Sequence, residues 1–114
     1  MSESIKNSRQ FANVYKSGKS YANKYLVMYV IQNELTTNRI GISVSKKVGN
    51  SVIRHRVTRL IKESYRLNET MFNSGLDIVI VARPGSKDRS YSEISSALMH
   101  LAKLQRIIHD NQES

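Results

Sequence analysis

The chain contains no cysteine and a single proline, Pro84. The first absence excludes disulfides, thiolate metal sites and a thiol nucleophile together. With no Gly/Ser-rich tract, no internal repeat and no low-complexity stretch, nothing divides the 114 residues into two units. Long apolar runs are missing too: the longest, Tyr25 to Ile31, has seven residues. A membrane span needs ~20. Behind Met1 the run Ser-Glu-Ser-Ile-Lys-Asn-Ser is polar, with no secretory-signal character. Acids are scarce, nine against eighteen Lys+Arg, and form no pair suited to general acid–base chemistry. His55, His100 and His109 are too far apart in sequence for metal-ligand spacing. The expectation is one soluble, cytoplasmic domain over residues 1–114, large enough for a core of its own.

What is abundant is positive charge, and it is localised. The net charge is +9, and residues 39–66 alone hold eight bases and one acid. Residues 1–38 hold five bases and two acids, and residues 67–114 hold five bases and six acids. Charge concentrated in this way points to a polyanion met by one surface. A membrane-surface helix would need a bulky apolar face free for lipid. Here that face is required for the core, so nucleic acid is the partner class and no membrane is expected.

The hydropathy pattern yields helices and strands in alternation. Ser8 is placed to cap a helix carrying Phe11, Val14 and Tyr15 at i, i+3, i+4, with Gly18 closing it. Tyr25 to Ile31 is apolar on both faces, as in a strand covered on both sides, and Asn33 to Arg39 reads as a hairpin loop. In Arg39 to Ser45, Ile40, Ile42 and Val44 alternate with Gly41, Ser43 and Ser45, whose small row admits something large close by. A helix begins at Asn50 or Ser51 and runs to about Leu67. Leu76 to Ala82 is a second buried strand, ended by Arg83-Pro-Gly85. The last helix opens with a Ser90–Glu93 capping box and carries the stripe Ile94, Leu98, Leu101 and Ile108, with Leu104 beside it. This order fits an α+β or α/β fold with one small sheet.

In the middle helix, Ile53, Val57, Leu60, Ile61 and Tyr65 share an arc roughly 140° wide. His55, Arg59, Lys62 and Arg66 form a line on the opposite side, flanked by Arg56, with Arg54 at the border of the apolar arc. A merely solvated face would mix signs for i,i+4 pairing, and only Glu63 interrupts this one. Lys46-Lys47 and a Gly49-Asn50 turn stand ahead of the helix, where free backbone N–H groups suit phosphate. Phe11, Tyr15 and Tyr29 are either core or stacking platforms for unpaired bases.

The stretch from Gly41-Ile-Ser-Val-Ser-Lys-Lys-Val-Gly-Asn through Arg54-His-Arg56 to Glu63 closely resembles the bacterial ribonuclease P protein family. The likeness extends to Phe11, Val14 and Tyr15, to Ala22-Asn23, and to Ile78 through Pro84. It implies an α/β sandwich of three helices on a four-stranded sheet, similar to the second domain of ribosomal protein S5, with a left-handed crossover and an extra strand near Ser20 to Ala22. It also implies the protein subunit of a ribonucleoprotein that removes the 5′ leader of precursor tRNA, with catalysis and Mg2+ belonging to the RNA subunit. By the same resemblance Lys46, Lys47, Arg54, Arg56, Arg59 and Lys62 contact the RNA subunit or sit at the edge of the leader path, and His55 and Arg66, on the same helix line, are RNA-binding candidates beside them. Phe11, Tyr15, Val27, Tyr29 and Thr58 line a cleft for the leader. His55 stands where the family usually has Asn, and Thr58 where it usually has Lys. The competing classes are a ribosome-associated structural RNA-binding protein and a protein-only nuclease.

Overall fold

The computed structural model describes residues 2–109. Its elements are β1 (Ser2–Ser4), α1 (Ser8–Ser17), β2 (Lys19–Ala22), β3 (Leu26–Gln32), β4 (Asn38–Val44), α2 (Ser51–Asn68), β5 (Leu76–Ala82) and α3 (Tyr91–Gln105). The five strands form one mixed sheet in the order β1-β4-β5-β3-β2. β4 runs parallel to β5 and to β1, while β3 opposes both β5 and β2. The α+β sandwich expected from the resemblance is present, with its extra strand at Lys19–Ala22. A fifth strand, β1, was not legible, because Ser-Glu-Ser has no β propensity and only pairing with Asn38–Ile40 makes it extended.

The central place belongs to β5, the most apolar strand, whose Ile78, Val79 and Ile80 are fully buried. Being central, β5 separates β3 from β4, so Asn33 to Arg39 is not a hairpin loop. The connection instead crosses the start of β5 and is strapped to it. The Asn33 N–H donates to the Gly75 carbonyl at 2.9 Å, and the Leu76 N–H donates to Asn38 Oδ1 at 2.9 Å. Asp77, 2 % exposed, receives both Nε and Nη2 of Arg39 at 2.8 and 2.7 Å, and Asn33 Nδ2 at 2.9 Å. Burial alone would raise the Asp77 carboxyl, but the donors from Arg39 and Asn33 outweigh it and hold the group below the usual carboxylate range.

α2 and α3 cover one face of the sheet. Leu26, Met28, Ile78, Ile80, Val57, Ile61, Ile94, Leu98 and Leu101 close the main core there without exposure. α1 alone covers the other face, over a smaller cluster of Ile5, Val14 and Val79. Helix ends follow local chemistry with small corrections. Asn7, not Ser8, caps α1, its Oδ1 accepting from the Gln10 N–H at 2.9 Å. Asn50 caps α2 and the Ser90–Glu93 capping box is present. α3 stops at Gln105, where Arg106 turns left-handed at φ +60°, so Ile108 leaves the helical stripe and bridges to Phe72. Leu104 is 40 % exposed, and Ile107 is the buried residue instead.

Candidate nucleic-acid interface

α1 crosses the open face one strand at a time. Phe11 sits on Gly41 of β4 so closely that a Cβ there would lie 2.7 Å from its ring. Val14 packs on Val79 of β5, and Tyr15 meets the Tyr29 ring of β3 edge-on at 5.0 Å and 82°. These partners lie in one row, because Gly41 and Tyr29 both pair with Val79. A ten-residue helix is about 15 Å long and shields little more than that row. The next row, Ser43, Val81 and Val27, lies in register beside it and is only half-buried. The small side chains of β4 therefore serve two ends: Gly41 admits Phe11, and Ser43 leaves the floor beside it partly open.

The cleft wall is thus Phe11, Tyr15 and Tyr29, and its floor includes Val27. Tyr15 is 40 % exposed, and Phe11 and Tyr29 are half-buried. Among the described residues neither tyrosine hydroxyl finds a hydrogen-bond partner, and a buried phenol would ordinarily require one. The structure brings four of the five expected cleft residues together. Thr58 is not among them: it lies on α2, which packs on the opposite face, and its Oγ1 donates to the Arg54 carbonyl at 2.9 Å. The helical arc alone could not say which sheet face its edge would border.

On α2 the expected line of charge is exposed. His55, Arg56, Arg59 and Lys62 lie outside, and Val57, Ile61 and Tyr65 inside. Arg54 is half-buried at the border, and its Nε is buried with no hydrogen-bond partner among the described residues. Ser51, Val52, His55, Arg56, Arg59 and Leu60 line a shallow groove of about 670 Å³. Val52, 76 % exposed, supplies apolar surface among these cations. Lys46 and Lys47 occupy the exposed turn before α2, which Val48 anchors by burial and by its N–H to the Ser45 carbonyl at 3.0 Å. Gly49 is small because a Cβ would meet Ile53 Cγ2 at 2.8 Å.

Arg66 behaves differently from the rest of the line. Its Nε and Nη2 donate to both carboxylate oxygens of Glu63 at 3.1 and 2.6 Å, a bond that holds Glu63 below its usual range. The C-terminal end of the line is locally neutral, and the free cations concentrate toward the start of α2.

Comparison with known proteins agrees with this geometry. The family model for ribonuclease P matches residues 1–105. The "Ribonuclease P protein component" of Lachnoclostridium phytofermentans is 75 % identical over 112 residues, covering 98 % of this chain and 97 % of that one. Its counterpart in Alkaliphilus metalliredigens is 53 % identical, covering 91 % and 94 %. Among solved structures, the RNase P protein of Staphylococcus aureus superposes with a TM-score of 0.86 at 36 % identity, covering 93 % of this chain and 97 % of that one. That of Thermotoga maritima gives 0.81 at 29 % identity, covering 94 % and 99 %.

Proposed function

The chain belongs to the ribonuclease P protein family and is the protein subunit of that enzyme, acting in tRNA 5′ processing; from this premise we propose how its surfaces divide the work. The exposed cations at the start of α2 bind the phosphates of the RNA subunit. The half-open row beside α1 receives the unpaired 5′ leader, whose bases stack on Tyr15, Phe11 and Tyr29. A single strand presents base faces rather than a groove, and an aromatic wall over a shallow apolar floor suits it. The cleft carries this reading: an aromatic wall with open tyrosine hydroxyls beside a half-buried strand row.

Cleavage of the phosphodiester is assigned to the RNA subunit, in the cytoplasm, and that RNA would hold the magnesium, which would supply charge stabilisation there. Among the described residues no three His, Asp or Glu side chains gather to hold a metal. Asp77, the one buried acid among the described residues, is committed to Arg39 and Asn33. Those donors do not fit the ion, and the reading leaves it with the RNA.

Precursor tRNA incubated at low magnesium with the chain alone, with its RNA subunit alone, and with both tests this division. Cleavage should need the RNA and should speed up when the chain is added. Cleavage by the chain alone would overturn RNA catalysis. No gain on adding the chain would favour a structural RNA-binding role.

A further inference from the structure

β4 and β5 run parallel and β3 opposes them, so three connections meet one end of the sheet: residues 45–50 into α2, 83–90 into α3, and the turn 23–25 into β3. The last two are in contact. Arg83 donates from Nη1 to the Asn23 carbonyl at 2.7 Å, and a Cβ on Gly85 would lie 3.0 Å from the Lys24 carbonyl. The 83–90 connection also touches α2, where Arg56 Nη2 donates to the Arg89 carbonyl at 2.9 Å. The basic helix and these two loops therefore form one continuous surface.

The loop is pre-formed. Ser86 is fully buried and donates its Oγ to the Arg83 carbonyl at 2.7 Å. The N–H groups of Ser86, Lys87 and Arg89 bond back to the carbonyls of Arg83, Pro84 and Ser86. Arg89 is used internally, lying 5.2 Å over the Tyr25 ring and pairing with Glu93 at 3.4 Å. Glu93 is further occupied by the backbone of Ser90 in the α3 cap. Lys24, Arg83 and Lys87 remain exposed, and among the described residues none of them has an acidic partner. Asp88, exposed next to Lys87, is the one acid within residues 83–90. Next to the turn, a groove of about 430 Å³ between residues 23–25 and residues 92–100 of α3 exposes Ser92, Ser96 and His100.

We infer that the RNA contact of α2 continues across this end of the molecule, with Lys24, Arg83 and Lys87 neutralising phosphates of the same RNA subunit. The inference rests on the reading of α2 as the RNA-binding helix. Exposed cations held on two touching connections without a carboxylate to answer them repel one another, and a polyanion removes that repulsion. Because the loop is already ordered, little conformational entropy is lost when a strand binds it.

Lys24→Ala and Lys87→Ala test this on the full chain, with its ribonuclease P RNA as the probe and affinity measured over a range of salt. Each variant should bind several-fold more weakly at low salt, and the slope of log affinity against log salt should fall by about 1 per substitution. Lys103→Ala, which removes a charge from the far end of α3, should leave the slope unchanged, and Arg59→Ala on α2 should lower it. If Arg59→Ala lowers the slope while Lys24→Ala and Lys87→Ala match Lys103→Ala, the inference fails and the α2 reading stands. If all four slopes equal that of the parent, the α2 reading fails and the inference with it.

Discussion

Ile80 and Val81 are neighbours in β5, yet Ile80 is fully buried beneath two long helices while Val81 stays half-open beside one short one. Beyond Asp77 the strand Leu76-Asp-Ile-Val-Ile-Val-Ala is apolar on both sides and does not distinguish them. What distinguishes them is cover: α2 and α3, of 18 and 15 residues, against α1 of ten. The covered face is spent on stability. On the other, apolar surface left in water is worth about 25 cal/mol per Å² to whatever buries it, which makes the face a place to bind.

The widest contrast comes from truncating one side chain on each face. Leu98→Ala empties a fully buried site and should cost about 3–4 kcal/mol in thermal or denaturant unfolding. Tyr15→Ala, at a side chain 40 % exposed, should cost under about 1 kcal/mol of stability yet ~1–3 kcal/mol of precursor tRNA affinity, with mature tRNA unaffected. Comparable losses of melting temperature in the two variants would erase the difference between the faces.

A smaller effect belongs to the strap over β5, which holds the sheet order that creates both faces. Arg39→Ala leaves the Asp77 carboxylate buried and should destabilise by about 3 kcal/mol at pH 7, near the low end for a broken buried pair because Arg39 is itself a quarter exposed. The sign follows from the lowered Asp77 carboxyl. Its contribution is complete above the unfolded value of about 3.9 and is lost as pH falls through the lower folded value. The deficit of Arg39→Ala should therefore shrink below about pH 4; an equal deficit at pH 7 and pH 3 would show that the ion pair is not its cause.

The smallest effect sharpens the boundary between the faces. Because α2 packs opposite α1, Thr58→Lys adds a cation away from the cleft. It should change binding of precursor and mature tRNA equally, by no more than about 0.5 kcal/mol, as for an exposed ion pair. A gain confined to tRNA that carries a leader would bring this edge of α2 back to the leader path.

Much of the molecule is written in short-range pattern. The arc of Val57, Ile61 and Tyr65, the cap at Asn50, the capping box at Ser90 and the outward line His55, Arg59 and Lys62 depend on residues three or four apart, and the sequence alone determines them. The family is fixed by the run from Gly41 to Glu63 in the same way. Strand order is different, because it depends on which apolar strands pair across a long stretch of chain. Tertiary structure alone placed β5 between β3 and β4, drew Ser2–Ser4 into the sheet and turned Asn33 to Arg39 into a strap. It also decided that Thr58 lies away from α1. Charge counted along the chain finds residues 67–114 slightly acidic, although Arg83 and Lys87 join α2 and Lys24 at one end of the sheet. Parallel pairing of β4 with β5 carries their C-terminal ends to the same side, and no local window of sequence contains that fact.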